Sequence, residues 1–293
     1  MKADTLRLGL VQMACTADPA QNLAHAYAQA EALAQQGAQL ICLPELYRSL
    51  YFCQTLDPAH FALAEPAEGP SFERFRQLAQ QYKVSLIVPI FEEPTPGLYF
   101  NSALIIDETG RRVGTYRKQH IPHDPGFEEK YYFAPGDGGY RAWQTAAGTF
   151  GTLICWDQWY PEGARLTALQ GAQILFYPTA IGYSAGEPAE EGATQLDAWV
   201  TIQRSHAIAN NVFVVAVNRV GTEGGTRFWG NSFVANPLGK VLARADETAQ
   251  NLLVDIDLQQ VRYYRQWWPF LRDRRIDTYG GITRRWGAPD EQA

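Results

Sequence analysis

The chain has 293 residues, 46% of them hydrophobic and 19% charged, a balance that supports a large buried core and excludes disordered, fibrous and collagen-like classes. A formal charge of −6 and a sequence pI near 5.4 exclude the basic footprint of a general nucleic-acid binder and suit a cationic small ligand. Aromatic residues at 13%, with eight Trp, call for a broad protein interface or an aromatic-lined pocket.

Met1-Lys-Ala-Asp-Thr5 runs straight into a strand pattern over residues 6–13, so no signal peptide is expected. Asp18-Pro19 reads as an N-cap and first turn, with Gln21 at the capping-box position. Leu23, Tyr27, Ala30 and Ala34 then recur at helical spacing to about Gln36, and Gly37 closes the helix before a buried strand ending at Leu43. Gly69-Pro70-Ser71 opens a second helix with Phe72, Phe75, Leu78 and Tyr82 on one face, feeding a strand over 84–88. The pattern then changes, because strands over 102–106 and 112–116 flank Asp107-Glu-Thr-Gly110, a hairpin signal that brings antiparallel pairing into the sheet. The Pro-, Gly- and charge-rich loop from Ile121 to Gly139 has a length usually kept for function. Residues 150–154 read as a buried strand that stops at Cys155, followed by a turn entering a helix to about Gln170 and a strand over 174–177. A helix around 197–209 leads to an apolar strand over 212–217, and short strands with a turn at Asn236-Pro-Leu-Gly239 finish near Asp255. Strands covered by helices and running in both directions predict an α/β sandwich with mixed sheets. From Gln259 the chain is Arg- and Trp-rich, and Trp267-Trp268-Pro269 predicts a segment packed on a neighbour. The apolar runs fall short of the roughly 20 residues of a membrane span. Cys15, Cys42, Cys53 and Cys155 lack CxxC spacing, which predicts reduced thiols in a cytoplasmic protein. HExxH spacing is absent, so neither a metal nor another cofactor is expected.

Cys155 stands between a strand end and a helix start, where backbone N–H groups and a helix dipole lower a thiol pKa and offer donors to an oxyanion. Glu45, after the apolar run 40–44, and Lys118, in Tyr116-Arg-Lys-Gln-His120, also stand at strand ends. Alone, each has an ordinary reading: a buried small hydrophobe, a solvated turn carboxylate, a basic surface loop. Together, where open α/β sheets place their sites, they supply a nucleophile, a general base and an oxyanion partner, with the backbone N–H of Trp156 as a second donor. His120 is read as orienting its loop and His206 as a packing residue, rather than as partners in Cys-His catalysis.

Leu43-Pro44-Glu45-Leu46, Tyr116-Arg117-Lys118 and Cys155-Trp156-Asp157 resemble the three blocks of the nitrilase superfamily of carbon–nitrogen hydrolases, and the resemblance runs to about Tyr279. It implies an α-β-β-α sandwich with two mixed β-sheets between helical layers, a single hydrolase domain over 1–275, and a tail over 276–293 that is interface-packed or partly disordered. It also implies a Glu45-Lys118-Cys155 triad and a homodimer or larger homo-oligomer. Phe127-Glu-Glu-Lys-Tyr131 resembles the block with a second glutamate, which makes Glu129 the residue that holds Lys118 and assists the attacking water. A surface charge beside Glu128 and Lys130 is the ordinary alternative.

Cys155-Trp-Asp-Gln-Trp-Tyr-Pro-Glu162, Tyr51-Phe-Cys-Gln54, His120-Ile-Pro122, Tyr132-Phe-Ala-Pro-Gly-Asp137 and Pro178-Thr-Ala-Ile-Gly182 are similar to the N-carbamoylputrescine amidohydrolase branch. Arg48-Ser49-Leu50 and His123-Asp124 depart from it. The branch implies a thiol amidohydrolase that cleaves N-carbamoylputrescine or a similar ureido amine to amine, ammonia and carbon dioxide through a covalent Cys155 intermediate. Aliphatic amide, carbamoyl-amino-acid and nitrile hydrolases are the rival readings, and a non-catalytic oligomeric binding protein is the rival from another class. An ammonium tail needs a carboxylate away from the thiol, for which Asp124 and Glu187 are candidates. Tyr51 and Trp159 are candidate aromatic faces for it, and Arg48 or Arg204 would serve a carboxylate-bearing substrate instead. Nucleic acid and membrane are not expected as partners.

Overall fold

A computed structural model describes residues 5–286. The leader expectation at residues 1–4 and the part of the predicted tail over 287–293 lie outside the described residues. In chain order the elements are β1 (Thr5–Gln12), α1 (Pro19–Gln35), β2 (Leu40–Cys42), α2 (Pro70–Tyr82), β3 (Ser85–Thr95), β4 (Leu98–Ile106), β5 (Arg112–Arg117), β6 (Ala142–Thr145) and β7 (Gly148–Thr152). They continue with α3 (Pro161–Leu169), β8 (Ile174–Pro178), β9 (Gly182–Ser184), α4 (Ala189–Asn210), β10 (Phe213–Val217), β11 (Val220–Glu223), β12 (Thr226–Trp229), β13 (Phe233–Ala235), β14 (Val241–Arg244), β15 (Gln250–Asp257) and α5 (Gln259–Trp267).

Two six-stranded sheets form, β15-β1-β2-β3-β4-β5 and β14-β13-β10-β8-β7-β6, beside a small sheet β11-β12-β9. Both large sheets are mixed. The first has β1, β2 and β3 parallel and antiparallel pairs outside them, and the second repeats this around β7, β8 and β10. Period-two alternation sorts the side chains. Leu8, Leu10, Ile87, Ala103 and Ile105 point into the core shared with Phe150, Phe176 and Val214 of the second sheet. Their neighbours Leu86, Val88, Leu104 and Ile106 point outward, under Leu33 of α1 and Phe75 and Leu78 of α2. α3 and α4 pack on β8 and β10, which completes the expected α-β-β-α sandwich. No helix among the described residues is long and apolar enough to cross a membrane.

Local expectations are adjusted in three places. Asp18 caps α1 by accepting from the Ala20 and Gln21 backbone N–H groups, but Gln21 accepts from the Thr16 hydroxyl instead of closing a capping box. α4 begins at Ala189, well before residue 197, because its first turns carry Glu190 and Glu191, which suit a helix N-terminus yet show no apolar periodicity. The Arg- and Trp-rich segment after Gln259 is not simply a tail, since it opens as α5, with Val261 buried and the Arg265 guanidinium donating to the Ala172 carbonyl.

The sheet edges meet closely where β5 passes β6. A Cβ on Gly114 would stand 1.9 Å from the indole nitrogen of Trp143, so only glycine fits. Gly114→Ala is expected to cost about 1–3 kcal/mol, as overpacking typically does, and to lower the thermal midpoint by a few degrees. An unchanged melt would contradict the close approach.

Candidate active site

Three strand ends converge on one buried point. β2 ends at Cys42, and the chain reaches Glu45 before Leu46 turns it at φ +48°. β5 ends at Arg117, and the next residue, Lys118, stays beside β4 through its N–H bond to the Asn101 carbonyl, 2.9 Å. β7 ends at Thr152, and Cys155 follows at φ +43°, a left-handed conformation that costs a non-glycine residue about 1 kcal/mol or more.

The Lys118 ammonium lies 2.9 Å from Glu45 Oε1 and 2.6 Å from Glu129 Oε2, with all three side chains fully buried. Asn101 Nδ2 donates to the same Glu45 Oε1 at 2.7 Å, and the Tyr51 hydroxyl donates to Glu129 Oε1 at 2.7 Å. Glu45 Oε2 is buried and has no hydrogen-bond partner among the described residues. The Cys155 thiol is buried 3.8 Å from the Ala180 carbonyl. Lys118 is therefore not on a basic surface loop, and Glu129 is not a surface charge.

The local charges set the protonation states. Burial works to lower the Lys118 pKa, but Glu129 and Glu45 outweigh it and hold the ammonium well above its ordinary range. Burial pushes the Glu129 carboxyl up to about 7, with Glu45 adding to the rise while Lys118 and Tyr51 oppose it. Burial likewise raises the Cys155 thiol, aided by Glu45 and Glu129 and opposed by Lys118. This corrects the expectation of a thiol pKa lowered by a helix dipole. Cys155–Trp159 is a 3-10 turn, and the α-helix starts only at Pro161, so burial decides.

The remaining predicted residues are dispersed. Tyr51 is buried with its hydroxyl committed to Glu129, and Trp156 lines a recess with His120, Lys130, Phe133 and Arg285. Trp159 is partly buried and packs against an apolar core. Asp124 is exposed on the 121–128 loop. Glu187 is half-buried, accepts from the Ser184 N–H and from Gln195, and lines a separate cavity of about 400 Å³ with Tyr183 and Arg227. Neither Asp124 nor Glu187 joins the buried ionic cluster. Arg48 is paired with Glu65 at 2.9 Å and Arg204 donates to the Gly239 carbonyl. His120 donates its N–H to Asp157, as a loop-orienting residue does, and His206 bonds the Gln158 carbonyl.

Sequence reading missed Asn101, Arg219 and Glu223. Arg219 is fully buried, 2.6 Å from Glu223 Oε1 and 2.9 Å from the Ser49 carbonyl, and Glu223 Oε2 accepts the Tyr51 N–H at 2.6 Å. This pair braces the segment that follows Glu45. Its signal was available, since Arg219 is a charge just past the apolar strand β10, the same cue that marked Glu45 and Lys118. Among the described residues, no group of three or more His, Cys, Asp or Glu is placed to hold a metal ion.

Comparison with known proteins finds relatives along most of the chain. A profile of the carbon-nitrogen hydrolase family matches residues 7–266. The N-carbamoylputrescine amidase of Solanum lycopersicum is 43% identical over 279 residues, spanning 92% of each chain. The citrullinase of Francisella tularensis subsp. tularensis is 37% identical over 287 residues, spanning 96% of this chain and 99% of that one. A crystal structure of a carbon-nitrogen hydrolase from Helicobacter pylori superposes with a TM-score of 0.94 at 43% identity, covering 97% of this chain and 100% of the other.

Because Glu129 rises from an ordinary 4.5 to about 7, the folded chain binds more protons than the unfolded chain across that window, and ionising the group costs stability as pH climbs. Glu129→Gln keeps the shape and removes the titration. The urea midpoint of the wild type is expected to fall relative to this variant between about pH 4.5 and pH 7 and to run parallel to it elsewhere. Parallel curves throughout would show that the carboxyl is not raised.

Proposed function

We propose that this chain, which belongs to the carbon–nitrogen hydrolase family, hydrolyses a ureido amine such as N-carbamoylputrescine through a covalent intermediate on Cys155. Its kinship with N-carbamoylputrescine amidases and a citrullinase makes it an enzyme acting on a small molecule. The observation that carries the mechanistic reading is the free oxygen of Glu45. Oε1 is occupied by Lys118 and Asn101, while Oε2 is buried without a partner, as a base awaiting a proton would be.

The thiol, held protonated by burial, gives its proton to Glu45 Oε2 as Sγ adds to the carbamoyl carbon. Lys118 and the Trp156 N–H stabilise the resulting oxyanion. Collapse breaks one carbamoyl C–N bond, Glu45 returns the proton to the departing nitrogen, and a thiocarbamate remains on Cys155. Water, positioned by Glu129 and deprotonated by Glu45, adds to that carbon. The C–S bond breaks, the thiol recovers its proton, and the released carbamic acid separates into carbon dioxide and the second nitrogen product. The turnover needs no oxidant or further reactant.

Specificity then rests on the far end of the substrate. Glu187 and Asp124 are our candidates for an ammonium tail, with Tyr51 and Trp159 as aromatic neighbours. A second reading, a ureido amino acid such as citrulline, is favoured by Lys130 and Arg285 beside Trp156, which offer a carboxylate the free cations that Arg48 and Arg204 do not. We also propose that residues 1–275 act as one catalytic unit in a reducing cytoplasm. The exposed Trp267, Trp268 and Trp286 would then cover a second copy of the chain.

Ammonia release should separate these readings across a panel of N-carbamoylputrescine, citrulline and N-carbamoyl-β-alanine. N-carbamoylputrescine is expected to give the highest kcat/KM, and equal or reversed preference would defeat the amine assignment. Cys155→Ala should abolish release, and Glu45→Gln should lower kcat by about 10²–10⁴-fold, the usual range for a lost acid-base group. Glu187→Gln is expected to raise KM for the amine substrate about tenfold, on the scale of one lost charged contact, with kcat nearly unchanged. An unaltered KM would exclude Glu187 from the amine site.

A further inference from the structure

The chemistry above leaves one fully buried carboxylate without a part, that of Asp157. It accepts four hydrogen bonds, which occupy the lone-pair sites of both oxygens. Oδ1 takes the backbone N–H of His120 at 2.9 Å and pairs with its Nδ1 at 2.7 Å, and Oδ2 takes the Tyr116 hydroxyl at 2.7 Å and the Ile154 N–H at 3.0 Å. The partners are telling. Tyr116 and His120 stand two positions to either side of Lys118, so in extended chain they share its face. Ile154 and Asp157 flank Cys155, and the Asp157 N–H returns to the Ile154 carbonyl at 3.0 Å, closing the turn that holds Cys155 at φ +43°.

Lys118 follows β5 of the first sheet and Cys155 follows β7 of the second, with no strand pairing between the sheets. Apolar packing, which is non-directional, joins their facing surfaces, alongside polar bonds such as Ser232 N–H to Gln12 Oε1 and Ala146 N–H to Glu108 Oε2. Resting on the hydrolase reading above, we propose that Asp157 is a positioning residue that fixes the register of Lys118 against Cys155 by gripping the residues around both. The His120 ring, stacked on Tyr160 at 3.6 Å and 3°, keeps the Lys118 side of that grip in place.

An asparagine at this position turns one acceptor into a donor and sets it against the Ile154 or His120 N–H. Asp157→Asn is therefore expected to lower kcat for the preferred ureido substrate about 10–100-fold, the scale of a misplacement near 1 Å, with KM within threefold of wild type and a protein that remains folded by circular dichroism. Tyr116→Phe removes one bond only and should show the same split at about 3–10-fold, as one lost hydrogen bond allows. Should Asp157→Asn not fold, Tyr116→Phe decides. A kcat within twofold of wild type in whichever of the two folds, or a loss confined to KM, overturns the proposal. Wild-type turnover keeps the outcomes apart: no ammonia release from any ureido substrate sinks the hydrolase reading, whereas normal release with indifferent variants sinks only the role of Asp157.

Discussion

A lysine ammonium sealed between two carboxylates is the constraint on which the rest of the molecule depends. The side chains of Lys118, Glu45 and Glu129 are all fully buried. Removing Lys118 from such a cluster leaves two buried carboxylates without their cation, and breaking a buried ion pair in this way typically costs about 3–5 kcal/mol. The surrounding polar groups answer that burden. Asn101 shares Glu45 Oε1 with the ammonium, Tyr51 satisfies Glu129, and the Arg219–Glu223 pair holds the Tyr51 backbone. Each carboxylate oxygen of the cluster has a partner except Glu45 Oε2, the atom to which the proposed mechanism gives the thiol proton.

Among the described residues, two of the five non-glycine positions at positive φ lie in the segments that carry Glu45 and Cys155. Leu46 and Cys155 are both non-glycine residues in the left-handed region, at φ +48° and +43°. Each follows closely on a strand end, and each is held by buried polar contacts: Arg219 on the Ser49 carbonyl for the first turn, Asp157 on the Ile154 N–H for the second. A flexible loop would relax such conformations. Two packed sheets with directed hydrogen bonds between their loops, such as the His120 N–H to Asp157, do not.

Substrate choice is a separate layer of the design. In the proposed reaction the buried cluster acts on the carbamoyl carbon, while the proposed groups for the far end lie outside it. These are Glu187 in its own cavity, Asp124 on an exposed loop, and Lys130 and Arg285 in the recess at Trp156. Relatives similar along most of the chain carry two different names, N-carbamoylputrescine amidase and citrullinase.

The amino-acid sequence by itself determined the central strands of both sheets, because alternation and apolar runs dictate which residues are buried, but not the short β6 and β9 or the run of β3 to Thr95; it also marked Glu45, Lys118 and Cys155, because polar groups placed just past buried strands stand out against them. Helix starts hidden in polar turns, as at Ala189, and α5 within an Arg- and Trp-rich stretch left too little apolar periodicity to be read. Only the tertiary structure decided that Lys118 and Glu129 are buried rather than solvated, and that the thiol is raised rather than lowered. It also supplied Asn101, Arg219, Glu223 and Asp157, whose partners lie on distant segments. The reason is physical: burial and hydrogen bonding depend on which segments meet in space, and a pKa follows the dielectric and the charges assembled there, whereas a sequence pattern reports only which way a side chain points along its own strand or helix.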